Sequence, residues 1–457
     1  MTRRVLRCTL PVLLWLTVAL LLPSVSRAAA GVDTLADSTW VHRWTLANGL
    51  QISVRHVPRC RSVAMVVGYK IGRDLDPRGR EGLADLACEL LVTAAAGSVP
   101  ERTREQMDLI RPQGWNLQVV PRFTLISEVA TVAQFPVVLG EAATRMRGVT
   151  VTDSVLARAM RTVRAEQAQK LLVSPELTLN NRMRLDAMGV TDEEMLRRVS
   201  GKGLQTVKIA EIRERLHKLY VPANAVVAIS GGLEDVDVHA LVRKLFEDIP
   251  GGTAIADPPA PRLTATGHAI RRAGLREPMG AVGIIGPALT DSLSPDFYLN
   301  SLLIGRYCEE KWGRAQTPPV RFRYSILADP QLAQFFPPVA SNETDADQLG
   351  VTFQDTIEKL AGSVIPPNTY DELRQTHLWI LGGAMTPDLA QLMRRNPATL
   401  ATLASTLAMR TLWGSERFWK RYRDRFMSDA ATEGSNWTDY FEAPDHIVRL
   451  LLVPARR

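Results

Sequence analysis

The chain has 457 residues, with 55 Lys and Arg against 48 Asp and Glu for a formal net charge of +7. Apolar content is high and no long block of one charge occurs, which excludes a disordered polyelectrolyte. A chain of this length exceeds a single core and suits two domains of about 200 residues each.

The first 30 residues read as a secretory signal. Arg3, Arg4 and Arg7 form a basic start, Thr9–Leu22 is apolar, and Ser26–Gly31 offers small residues for cleavage after Ala28 or Ala30. The apolar run is shorter than the roughly 20 residues needed to span a bilayer. An exported, periplasmic or secreted protein without a stable membrane anchor is therefore expected. Four arginines fall in this segment, which holds no acid, so the remainder is near +3 and gives no argument for nucleic acid. It keeps Cys60, Cys88 and Cys308, an odd number for an oxidising compartment and without a Cys-x-x-Cys pair.

Along the chain, Thr45–Val54 reads as a strand entered through Leu-Ala-Asn-Gly-Leu, and Val63–Gly72 as a core strand. Gly82-Leu-Ala-Asp-Leu-Ala-Cys-Glu-Leu-Leu91 is helical and places the Asp85 and Glu89 carboxylates on one face. Gln113–Pro121 contains Asn116 and Leu117 in an extended run that Pro121 limits. A later helix carries Glu166, 77 positions after Glu89, and Leu219-Tyr-Val-Pro-Ala-Asn leads into an apolar strand. The seven histidines are scattered with no pair three or four apart, and no Gly-x-Ser-x-Gly elbow or phosphate loop stands out.

These landmarks, in this order, resemble the insulinase/pitrilysin family of zinc metallopeptidases from about Trp40 to Pro250. In that family the helix reads Gly-Leu-Ala-His-x-x-Glu-His, two His binding zinc and the Glu activating water. Here Asp85 and Glu89 stand at the His places and Cys88 at the Glu place, while Glu166 matches the third ligand, a Glu. The resemblance implies an α+β fold of two tandem homologous domains, each with helices on one face of a mainly antiparallel sheet. It also implies a degenerate site, with no catalytic residue and no cofactor expected. Zinc would be required only if the chain were active. Asp85, Glu89 and Glu166 remain vestigial metal candidates; three carboxylates suit Ca, Mg or Mn better than zinc. Changing Asp85→His, Cys88→Glu and Glu89→His together is expected to restore zinc binding if the frame is intact.

The Pro/Gly-rich stretch Ile249–Arg262 reads as an interdomain linker. The expected layout is a signal peptide over 1–30, an N-terminal insulinase-like domain over 31–250, a linker over 251–268 and a C-terminal insulinase-like domain over 269–457. Met279–Leu289 and Ser294–Cys308 repeat the strand–helix order of the first half. Gln348–Leu360, Thr369–Gly382 and Asn396–Leu412 have helical periodicity, and Ile447–Val453 closes as a strand. Arg417–Phe426, aromatic and basic, fits either an amphipathic helix packed on its own domain or an anionic-surface binder. Active relatives also carry an Arg and a Tyr in this half that hold the peptide. Glu309 and Gln316 occupy those places, and a looser alignment puts Tyr324 in the Tyr role with Arg321 or Arg323 nearby.

The family's peptide-binding edge strand corresponds to Gln113–Pro121, so Asn116, Leu117 and Tyr324 are the candidate substrate-binding residues. Heteromeric members pair a zinc-bearing subunit with a silent one. The resemblance thus implies an exported, non-catalytic scaffold or substrate-holding subunit, partnered with an active homologue or with itself. Two alternatives stay open: a stand-alone envelope peptide-binding protein, and an active metalloendopeptidase with an atypical metal site.

Overall fold

The computed structural model describes residues 41–173, 175–187, 201–256, 268–272, 277–313, 321–324, 331–336, five positions between 348 and 355, 387–414, 416–428 and 446–454. The segment read as a signal peptide, most of the stretch read as a linker, Gln316 and most of the two helices read over 348–382 lie outside the described residues.

Two sheets organise the chain. The first contains β1 (Val41–Thr45), β2 (Gln51–His56), β3 (Ser62–Tyr69), β4 (Trp115–Val119), β5 (Thr124–Thr131) and β6 (Ala225–Gly231), in the order β1-β2-β6-β3-β5-β4. The second contains β7 (His268–Arg272), β8 (Met279–Ile285), β9 (Arg321–Arg323), β10 (Leu332–Phe336) and β11 (Ile447–Pro454), in the order β7-β11-β8-β10-β9. β2 runs parallel to β6 and β7 parallel to β11, and among the described residues every other pairing is antiparallel. Apart from β1, the two sheets therefore share one connectivity, each closing with its last strand inserted beside its first. The strand–helix repeat of the sequence has this physical basis.

The Asn-Gly turn between β1 and β2 works as its composition demands. Gly49 sits at φ +87, a conformation open to glycine, and a Cβ there would approach the Ala223 backbone at 3.2 Å. Asn48 Nδ2 donates to the carbonyls of Phe246 and Ile249 at 2.7 and 3.0 Å. Buried Asn224 donates to the Leu219 and Thr253 carbonyls and accepts from the Ile255 amide. These two asparagines pin the segment leaving the first half back onto its sheet.

One face of the first sheet carries α1 (Leu83–Thr93), α3 (Phe135–Arg147), α4 (Asp153–Val173), α6 (Ile209–Leu219) and α7 (Val238–Phe246), all contributing to one large core. A short α2 (Arg104–Ile110) precedes β4. The opposite face is covered from the far end of the chain. There α9 (Pro387–Arg395) and α10 (Pro397–Trp413) bury Met393, Leu400, Leu403, Leu407 and Leu412 against Val66, Leu125 and Val226.

The second sheet receives the reciprocal gift of a helix. Its own α8 (Ser294–Gly313) packs Phe297, Ile304 and Cys308 on one face, and α5 (Pro175–Ala187) of the first half packs Leu179, Met183 and Ala187 on the other. The expected helices on one face of a mainly antiparallel sheet are present in each half. The sequence reading lacks the second covering helix, because an amphipathic stripe specifies that a helix is buried and not which sheet buries it.

In α11 (Glu416–Met427), Trp419 and Tyr422 are fully buried and Arg425 pairs with Asp296 on α8. The aromatic-basic segment is thus an amphipathic helix packed on its own half. Among the described residues no helix is long and apolar enough to cross a membrane.

Candidate functional site: an arginine-filled carboxylate cluster

The helix α1 starts at Gly82, which takes φ +102 and so turns the chain sharply into the helix. Its first amides are satisfied by a remote acid. Asp76 accepts from the amides of Gly82 and Ala84 at 2.9 and 3.0 Å and pairs with Arg215 on α6 at 2.7 Å. An acid at this end also complements the helix dipole.

Asp85 lies in the first turn of α1, where Arg73 grips it in a bidentate pair. Nε donates at 2.9 Å and Nη2 at 2.7 Å. Arg73 is itself fixed by backbone, since its amide and that of Asp74 donate to the carbonyls of Val120 and Pro121 just beyond β4. One turn along, Glu89 is 3% exposed. Arg104 Nε and Nη2 donate to Glu89 Oε2 at 2.9 and 2.6 Å, and Nη1 donates to Glu166 Oε1 at 2.5 Å. One guanidinium therefore bridges two of the three acids, and a second holds the third.

The electrostatics follow from this packing. Burial pushes the Glu89 carboxyl up, and the hydrogen bonds and charge of Arg104 oppose that rise. Burial also works against the Arg104 charge, but its bonds to Glu89 and Glu166 more than offset this and hold it protonated. Cys88 is a free thiol, fully buried, and burial together with Asp85 and Glu89 pushes it well above its ordinary range. A thiol so placed forms no thiolate at neutral pH and serves as a small apolar side chain.

These residues do not fit zinc. The donor set contains no His, each carboxylate already has a guanidinium partner, and Asp85 is drawn to a different arginine from the other two. Among the described residues, no three acidic, His or Cys side chains converge as a metal-holding group. At the place where a water-activating carboxylate would stand there is only the Cys88 thiol.

Among the described residues β4 is the edge of the first sheet and pairs with β5 alone; Asn116 and Leu117, opposite Ser127 and Ile126, are half-buried on it. Leu109, at the end of α2 just before it, is 79% exposed. Tyr324 belongs to the second half, just after β9. Its ring packs on Phe297 and Tyr298, and its hydroxyl donates to Gln331, which in turn donates to Ser294 and to the Pro287 carbonyl. Glu309 accepts from the Phe322 amide at 3.1 Å. Tyr324 and Glu309 thus have structural partners within their own domain.

Sequence reasoning missed both arginines. The signal was available: three acids on facing helices require neutralisation, and Arg104 stands in the first turn of α2, where a cation opposes the helix dipole. A second cluster also went unread. Buried Glu128 on β5 takes Arg111 and Arg145, and Glu141 on α3 takes Arg102 in a bidentate pair at 2.8 Å and Arg111 at 2.5 Å. It anchors both ends of α2.

Residues 206–316 match the family model described as the peptidase M16 inactive domain. No curated protein matches the chain by sequence. Among solved structures, a protease from Helicobacter pylori superposes with a TM-score of 0.72 at 15% identity, covering 92% of this chain and 100% of that one. A peptidase M16 inactive domain from Pseudomonas fluorescens gives 0.67 at 14%, covering 91% and 98%. A chain of Complex III2 from Candida albicans gives 0.65 at 13%, covering 90% and 95%. The chain thus has the fold of the M16-type peptidase structures and, over residues 206–316, a match to that family's inactive domain, in agreement with the resemblance carried by its sequence landmarks.

Proposed function

We propose that this chain is an exported, non-catalytic M16-type subunit that holds extended peptide and works beside a second chain. The observation that carries the reading is the replacement of the catalytic set by an arginine-neutralised carboxylate cluster on an otherwise intact frame. Nothing there activates water, and the acids are committed to holding helices together.

The β4 edge supports peptide holding. An edge strand with free backbone groups accepts an extended segment by strand addition, and Asn116 and Leu117 would flank it. Partnership is supported by the fold, since one structural neighbour is part of Complex III2. The partner proposed is a zinc-bearing homologue, with a second copy of this chain as the alternative.

Size-exclusion chromatography with light scattering tests this, on residues 31–457 alone and mixed with a zinc-motif homologue from the same genomic neighbourhood. The expected result is a stable complex of the two chains. A monomer that ignores the neighbour but binds extended peptides would remove the subunit role and leave the stand-alone binding role; a monomer that binds neither would end the proposal.

A further inference from the structure

We infer that Arg104 is the resident cation of this site: its guanidinium takes the charge position between Glu89 and Glu166 and closes it to divalent metal ions. Three observations lead there. Its two edges are divided between the acids, Nε and Nη2 facing Glu89 and Nη1 facing Glu166. Glu89 is buried, and an unpaired carboxylate there would have to neutralise or find a cation. Arg104 also occupies a helix position that disfavours positive charge, so its place is explained by the acids it joins and not by the helix it begins.

The tie has a mechanical consequence. The helix α2 has seven residues and buries only Met107 among them. Such a segment is too short to be stable by itself. Besides its Thr103–Gln106 capping box and a bond from the Trp115 indole N–H to Asp108 at 2.8 Å, it is held by Arg102 and Arg104 at its start and by Arg111 immediately after its end. Arg104 links α1, α2 and α4, and α2 leads directly into the β4 edge. The site thus gathers two of its three acids around a fixed organic cation, and its integrity does not depend on metal supply.

The inference rests on the non-catalytic reading of this site, but its readout is stability, so either can fail without the other. The test is the thermal midpoint of the exported chain and of Arg104→Ser, each measured in chelator and with millimolar Mn2+. The wild-type midpoint is expected to be the same in both. Arg104→Ser should melt roughly 3–8 °C lower in chelator and recover part of the loss with Mn2+, because a ligand that binds only the folded state raises its midpoint. A wild-type midpoint that rises with Mn2+, or an Arg104→Ser protein indifferent to it, would overturn the inference. Should Arg104→Ser fail to fold, the pair Arg104→Met and Glu89→Gln/Arg104→Met decides. Recovery in the double variant supports the ion-pair role, and equal instability of the two contradicts it.

Discussion

The purified protein is expected to hydrolyse unstructured peptides no faster than a buffer control, with or without added zinc. Metal-assisted hydrolysis needs a bound Lewis acid and a base for the attacking water. The base position holds Cys88, whose thiol is buried and raised far from thiolate formation. The ligand positions hold acids already paired with Arg73 and Arg104. A positioned general base alone contributes about 10²- to 10⁴-fold, so losing base and metal together removes family-type turnover from detection. The reverse experiment is equally informative. Asp85→His, Cys88→Glu and Glu89→His together supply the family's side chains, yet they leave Arg104 beside Glu166 and Arg73 without its partner. The sequence alone predicts that this triple variant binds zinc. With Arg104 in place, zinc binding is expected only when Arg104→Ala is added. A triple variant that binds zinc stoichiometrically by itself would show that Arg104 swings clear.

The second large effect concerns the exchanged helices. Leu407 on α10 is 1% exposed within the core it shares with Val66, Leu125 and Val226 of the first sheet. Leu407→Asp places an unpaired carboxylate in that layer and is expected to cost about 4 kcal/mol or more. The loss should appear as failure of the whole chain to give a cooperative melting transition, although residue 407 belongs to the other half. For the same reason residues 41–256 expressed alone should be insoluble, since one face of their sheet would be bare. A soluble fragment with a sharp melting transition would contradict the interlocked arrangement.

Much of the frame was legible in the sequence because its signals are local. The Asn48-Gly49 turn, the strand from Val63 and the helix from Gly82 each announce themselves by backbone requirement or periodicity. The helix read at Asn396–Leu412 is α10 over Pro397–Trp413, with Asn396 capping the Ala398 amide at 3.0 Å. Its destination was not legible, because Leu403 and Leu407 state that they are buried and nothing in them says beneath which sheet. The altered motif at Asp85, Cys88 and Glu89 was likewise plain, and the cations that complete it were not. Arg73 precedes the helix by ten residues and Arg104 follows it by eleven. Only the fold brings them to one cluster.

Metal content measures the central claim most directly. The purified chain, dialysed against equimolar zinc and then freed of unbound metal, should retain far less than one zinc per molecule, with a melting profile unchanged by chelator. One tightly held zinc per chain, lost together with a peptidase activity on Glu166→Ala substitution, would contradict the account and restore the protein to the active metallopeptidases.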